Sequence, residues 1–277
     1  MTKGNPSYTA LGAAVIRAAH QLTDEEPRIL DDPIILRLLD SSTLDKIRIK
    51  PDRFQTARAK ALRSWIVMRS RYVEDRLGEA VENGLRQYVI LGAGLDTFPY
   101  RQPHWARPIR IFEVDRSASQ RSKRERLRRA EIEVPSNVEL IACDFEKTLL
   151  RDCLRKCGYN FEKPAFFSWL GVTAYLSMDA IDAVFRFVSS LPKSSEIVFT
   201  FKSISHSRKS SLAALTAAVG EPMITSFQPR ELEDKLHEFG FSKVSFLSAS
   251  EAEKLYFRNR HDGLLAPKNP GIATVKL

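Results

Sequence analysis

Two glycines and two aspartates, each placed where an apolar run stops, are the residues of this chain best positioned to do chemistry. Tyr88-Val89-Ile90-Leu91 empties into Gly92-Ala93-Gly94-Leu95-Asp96-Thr97. Ile109 to Val114 ends on Asp115, and Val138 to Cys143 ends on Asp144. Short apolar runs rich in β-branched residues and bounded in this way read as buried parallel strands. Open α/β sheets bind ligands beyond the carboxyl ends of their strands, which is where all four residues would collect. Asp115 follows Gly94 by roughly 20 positions, the spacing at which an acid meets ribose hydroxyls.

The loop also says which nucleoside to expect. A dinucleotide site uses a third glycine so that the next helix can pack close beneath the pyrophosphate. Thr97 holds that place here, so the run fits a phosphate-free nucleoside better than NAD, and S-adenosyl-L-methionine is the commonest cofactor of that kind. Gly92, Ala93, Gly94 and Asp96 would form its loop, and the second strand, carrying Glu113 and Asp115, its ribose side. Methyl transfer from a sulfonium to oxygen is an in-line displacement, for which positioning can supply about 7–11 kcal/mol of the barrier reduction. A carboxylate acceptor is already an anion, whereas a hydroxyl gains from a general base. No histidine stands in an obvious base position; of the five, His20 and His206 are the best placed to face a pocket.

The elements that must hold these residues follow from periodicity. Leu11, Ala14, Val15, Ala18 and Ala19 predict an amphipathic helix over 8–22. Asp31-Asp32-Pro33 caps a second, because carboxylates suit the positive end of the helix dipole and proline its first turn. A long helical pattern runs from 52 to 82. From Gln87 onward strands are expected at 87–91, 109–114, 138–142, 165–170, 195–201, 241–247 and 272–276, with helices near 117–130, 177–190 and 229–239. Such alternation predicts an α/β fold with a doubly wound, mostly parallel seven-stranded sheet, its last two strands forming an antiparallel edge. The expected organisation is one structural unit. Residues 1–85 form a helical cap, and 86–277 a Rossmann-like core interrupted by a lid insertion at 203–227, helical over 210–219.

Composition narrows the function classes. With 277 residues, 43% hydrophobic and 28% charged, the chain can bury one large core. No apolar run is long enough for a membrane span, and the amino terminus lacks a signal-peptide core, so a cytoplasmic protein is expected. Cys143, Cys153 and Cys157 lack zinc-site spacing and read as reduced thiols, with no metal. The net charge of +9 is densest between Arg116 and Arg129. Glu125 and Glu131 interrupt that run and no aromatic residue interleaves it, which favours a solvated helix face over a nucleic-acid platform.

The run from Arg86 to Thr97, followed by Phe112-Glu113-Val114-Asp115, resembles the leucine carboxyl methyltransferase family. Within it, the similarity is to the bacterial branch of small-molecule O-methyltransferases that includes tetracenomycin-type polyketide carboxyl methyltransferases. The likeness covers almost the whole chain, taking in Thr9-Ala10, Arg17-Ala18-Ala19-His20, Leu30-Asp31-Asp32-Pro33, Arg69 to Asp75 and Gly171 to Leu176. It implies that S-adenosyl-L-methionine is held by Arg69 at its carboxylate and by Asp144-Phe145 at the adenine edge. Tyr175 keeps the family's place and would meet the acceptor. Tyr8, Arg17 and Arg28 are amino-terminal candidates for an anionic acceptor. Many members carry an acid and a glycine where this chain reads Ser168-Trp169-Leu170-Gly171, a departure that would leave Trp169 near the sulfonium. The competing readings are an RNA or protein methyltransferase, and a nucleotide-binding oxidoreductase or ligand sensor.

Overall fold

The computed structural model describes residues 7–204 and 211–277. Seven strands, β1 (Gln87–Leu91), β2 (Arg110–Asp115), β3 (Val138–Ala142), β4 (Phe166–Trp169), β5 (Glu196–Thr200), β6 (Lys243–Phe246) and β7 (Ile272–Lys276), form one sheet in the order β3-β2-β1-β4-β5-β7-β6. β1 to β5 run parallel, and β7 lies antiparallel between β5 and β6. The expected doubly wound sheet and antiparallel edge are both present. Strand order reverses between β1 and β4, so the crevice where such sheets bind ligands opens beyond those two strands.

Each face of the sheet carries its own core because side chains alternate along a strand. Val89, Leu91, Phe167, Trp169, Ile197 and Phe199 point to one face, against α7 (Leu150–Arg155), α8 (Met178–Ser189) and α10 (Pro229–Glu238). Tyr88, Ile90, Phe166 and Val198 point to the other, where α5 (Ala57–Glu82) supplies Val67, Met68, Val73 and Leu77. A third cluster joins α1 (Tyr8–Thr23), α2 (Pro33–Leu38) and α3 (Ser41–Ile49) to Leu95 of the glycine loop. The helices that precede the sheet are thereby packed directly onto the residues expected to bind cofactor.

Local chemistry explains where helices begin. Asp32 caps α2 by accepting from the Ile35 N–H at 3.2 Å, with Pro33 in the first turn as the sequence predicts. The long helix expected over 52–82 is instead two, α4 (Asp52–Gln55) and α5. Thr56 between them is extended, and its hydroxyl accepts from the Ala59 N–H as the cap of α5. On α6 (Ser117–Arg129) Lys123 turns inward, while Arg128 and Arg129 pair with Glu125 on the solvent side. Of the lid insertion, α9 (Ser211–Ala218) is described, whereas His206 lies outside the described residues. The expectation of three reduced thiols is corrected. Cys143, just past β3, and Cys153 on α7 are joined as a disulfide with their Cα atoms 6.0 Å apart, leaving Cys157 free. Chain separation hides that proximity until α7 folds back onto β3.

Candidate cofactor and acceptor cleft

A cleft of about 2380 Å³ runs along the carboxyl edge of the sheet. Strand order sets out its lining like a scale: Asp144 and Phe145 past β3, Asp115 at β2, Gly92 to Asp96 past β1, Gly171 to Tyr175 past β4, Thr200 and Lys202 at β5. The facing wall comes from α1, from Trp65 and Arg69 of α5, and from the segment around Val219 to Ile224. Among the described residues no cluster of histidine, cysteine and acidic side chains could hold a metal, and no helix is long and apolar enough to cross a membrane.

The glycine loop is built for close approach. Gly92 has φ +68°, and a Cβ there would lie 2.4 Å from Val172 Cγ2. The Gly94 N–H donates to Asp115 Oδ2 at 2.6 Å, while Asp115 Oδ1 accepts from the Arg116 N–H at 2.7 Å. Burial pushes the Asp115 carboxyl up, and these two donors partly offset the push. A carboxylate has about four acceptor sites, so capacity remains for a ribose hydroxyl. Asp96 accepts from the Phe98 N–H at 2.8 Å, turning the chain into a short 3₁₀ turn, Phe98–Tyr100. No α-helix starts there, and the loop lacks the aligned N–H groups that would hold a pyrophosphate.

Thr97 explains itself in this context. Its hydroxyl donates to Asp32 at 2.7 Å and accepts from Arg17 and Arg101, each at 3.1 Å. Arg17 also donates to Asp32 at 2.9 Å and to the carbonyl of Leu95. The residue that replaces a third glycine is thus a buried knot tying the loop to α1 and α2.

Arg69 is the most telling side chain of the cleft. Among the described residues its Nε is buried without a partner, and its guanidinium lies 4.4 Å over the Trp65 ring, four residues earlier on the same helix. Gly171, at φ +71°, makes room for it, since a Cβ there would sit 2.7 Å from Arg69 Nη1. Burial, and next the nearby charge of Arg17, lower the Arg69 guanidinium to about 10. A half-buried cation without a carboxylate partner carries a desolvation cost, and an incoming anion relieves it. Tyr175 stands close by, its hydroxyl pushed up by burial and partnered by the Thr9 side chain.

Several expected site residues are turned elsewhere. Glu113 is fully buried behind the sheet edge, ion-paired to Lys123 and accepting from the Tyr100 hydroxyl at 2.7 Å. It alternates with Asp115's neighbours and does not line the cleft. Trp169 shares its face with Phe167, so it packs edge-to-face on Phe145 and Phe185 in the core rather than near a sulfonium. Arg17 borders the cleft, but its donors are committed to the knot. Arg28 pairs with Glu26 away from the cleft. His20 is buried against Asp24 at 2.7 Å, which Arg63 also clasps, and its Nε2 accepts from the Leu30 N–H. Tyr8 does line the mouth, 53% exposed.

Sequence reading missed three contributors. Gly171 shapes the Arg69 site, and Trp65 shelves it; the four-residue spacing of Trp65 and Arg69 on a helix was the available signal. Glu221 was invisible. Its carboxylate accepts from the Thr9 N–H at 2.9 Å and from the Ser7 hydroxyl at 3.2 Å, latching the segment after α9 to the start of α1.

The residues present suit S-adenosyl-L-methionine: an orphaned guanidinium for its carboxylate, two crowded glycines along its length, and an acid with spare acceptor sites for its ribose. Comparisons agree. The sequence pattern of the family described as leucine carboxyl methyltransferase matches residues 10–189. YktD of Bacillus subtilis (strain 168), named "putative S-adenosyl-L-methionine-dependent methyltransferase", is 33% identical, with 96% of each chain covered. A Mycobacterium avium (strain 104) protein bearing the same general name is 30% identical over 69% of this chain and 64% of its own length. Two crystal structures share the fold. One, of a "putative methyltransferase" from Thermobifida fusca YX, has TM-score 0.58 at 18% identity over 99% of this chain and 96% of that one. The other, of a DUF574 family protein from Streptomyces avermitilis MA-4680, has TM-score 0.56 at 16% identity over 98% and 97%. The chain belongs to the leucine carboxyl methyltransferase family and is an S-adenosyl-L-methionine-dependent methyltransferase.

Proposed function

We infer that the methyl group goes to an oxygen of a small molecule, a carboxylate in preference to a hydroxyl, as in polyketide-type metabolites. The observation that carries this is how charge is distributed along the cleft. Asp96, Asp115, Asp144 and Glu146 line it on the β1 to β3 side; among the described residues no histidine lines it, and no carboxylate lines the β4 to β5 side. Among the described residues an acceptor bound there meets no side chain suited to remove a proton at neutral pH. A carboxylate acceptor needs none.

Bound S-adenosyl-L-methionine supplies an electrophilic methyl group on a sulfonium. In this reading Arg69 holds its carboxylate with a bidentate guanidinium, Asp115 its ribose, Asp144 and Phe145 its adenine, and Gly92 to Gly94 let the backbone approach. Tyr175, with Thr9, orients the acceptor oxygen by hydrogen bonding, and Tyr8 covers the acceptor from α1. Residues 1–85 act as a cap over the 86–277 core and exclude water, which strengthens each electrostatic contact inside.

Incubating the enzyme with methyl-labelled cofactor and small-molecule extracts tests the reading. A labelled product that releases methanol in mild base is the expected ester. A base-stable methyl ether would establish a hydroxyl acceptor instead, and label found only in RNA or protein would overturn the small-molecule assignment.

A further inference from the structure

Among the described residues six cationic side chains line the cleft, and they are not evenly spread. Arg116, Arg121 and Lys147 sit at the β2 to β3 end, Arg17 is bound into the loop knot, and Arg69 faces Gly171. Lys202 stands apart, past β5, beyond the place assigned to the cofactor's amino-acid end. Ile197, Phe199 and Phe201 belong to one core face, so Thr200 and Lys202 share the opposite face with Val198. Thr200 on that face accepts from the Gly171 N–H at 2.7 Å, which puts Lys202 one strand repeat outward from the Arg69 corner.

The backbone at Lys202 is fixed while its side chain is free. Its carbonyl accepts from the Phe227 N–H at 2.8 Å, and the preceding Phe201 N–H donates to Gly271 O at 2.8 Å. Among the described residues its ammonium has no hydrogen bond or ion pair. Beyond it the cleft is lined by exposed apolar side chains: Ile204 is 41% exposed, Val219 40% and Ile224 62%, with Met223 alongside. A cluster of large apolar side chains at a cleft mouth is what an apolar ligand body would cover.

We propose that Lys202 binds the carboxylate of the acceptor and that the acceptor is a monocarboxylic acid with an apolar body, which lies against Ile204, Val219 and Ile224. This rests on the reading of the enzyme as a small-molecule O-methyltransferase and names its substrate class. One carboxylate oxygen forms the new O–CH₃ bond as the sulfonium C–S bond breaks. The electron pair of that bond stays on sulfur, and no proton moves. The ester product is neutral, so transfer removes the charge that Lys202 holds and favours release.

The test uses octanoate and octan-1-ol as probes, titrated calorimetrically into the full-length protein saturated with S-adenosylhomocysteine. Octanoate is expected to bind at least about tenfold tighter than octanol, the size of one charge-assisted hydrogen bond. Lys202→Met should abolish that preference and Lys202→Arg should retain it, both with unchanged S-adenosylhomocysteine affinity and wild-type circular dichroism. Equal binding of the two probes, no binding of either, or a preference that survives in Lys202→Met would each overturn the proposal. So would a loss of S-adenosylhomocysteine affinity in that variant, which would place the lysine at the cofactor. No turnover enters the measurement, so a methyl group found on a hydroxyl would overturn the carboxylate-transfer reading without touching this result.

Discussion

Arg69 and Asp115 hold opposite charges in one cleft, and their surroundings make opposite demands. Burial lowers the Arg69 guanidinium to about 10, well below its ordinary value, so the unfolded chain holds that proton more tightly than the folded one. Between those two values stability rises with pH; at neutral pH, where both states are protonated, the residue's contribution is fully unfavourable. Replacing it with methionine should therefore leave the thermal midpoint of the cofactor-free protein at or above wild type. It should also weaken S-adenosylhomocysteine by at least about tenfold, since a charged hydrogen bond is worth roughly 1.5–3 kcal/mol. Unchanged affinity measured by calorimetry would remove Arg69 from the site. Asp115→Ala should cost about 1–3 kcal/mol of cofactor binding in a protein that still folds. Part of that loss comes from the Gly94 N–H, which loses its acceptor, so Asp115→Asn should recover some affinity.

At the scale of elements, alternation along single strands decides which residues reach the cleft. Glu113 and Asp115 share a face of β2, yet only the terminal residue opens onto the cleft, and Glu113 is answered by Lys123 from α6. Breaking a buried pair leaves an uncompensated charge, so Glu113→Ala should destabilise by about 3–5 kcal/mol in chemical denaturation. Glu113→Leu with Lys123→Met should restore much of that loss. A cofactor role would instead show as lost S-adenosylhomocysteine affinity in the stable double variant.

The same elements show what a sequence makes readable. The strands and the Gly92 to Asp115 span were legible because period-2 runs and turn residues are local. Trp169 shares the face of Phe167 and is core, a placement set by strand alternation that the family's motif does not reveal. The Arg17-Asp32-Thr97 knot and the Glu221 latch join positions far apart in the chain, while the Cys143–Cys153 pairing, at a separation of 10, depends on α7 turning back onto β3, and no motif announces any of them.

Taken whole, the molecule closes its cleft from two directions, with α1 and the segment after α9 joined through Glu221 and Ser7-Thr9. Hydrogen exchange should slow over residues 7–30 and 211–227 when S-adenosylhomocysteine binds. Protection confined to Gly92 to Asp115 would show that the roof does not respond. Glu221→Ala should raise exchange across Thr9 to Leu11 in the free protein while leaving the sheet's protection unchanged. Removing residues 1–21 is a harsher change than chain order suggests, because Ala14, Ala18 and Ala19 are buried and Arg17 and His20 are bonded inward.

Those inward bonds bear on how such an enzyme could be re-engineered or could diversify. One face of α1 turns Tyr8 and Leu11 to the cleft, while another sends Arg17 into the glycine loop. In the proposed reading, acceptor range and the mooring of the glycine loop are therefore inherited on a single helix. A chimera that borrows this helix from a relative must bring partners for Asp32 and Thr97 with it, whereas exchanging Tyr8, Leu11 and Val15 alone would redraw the acceptor mouth and leave the loop's mooring in place.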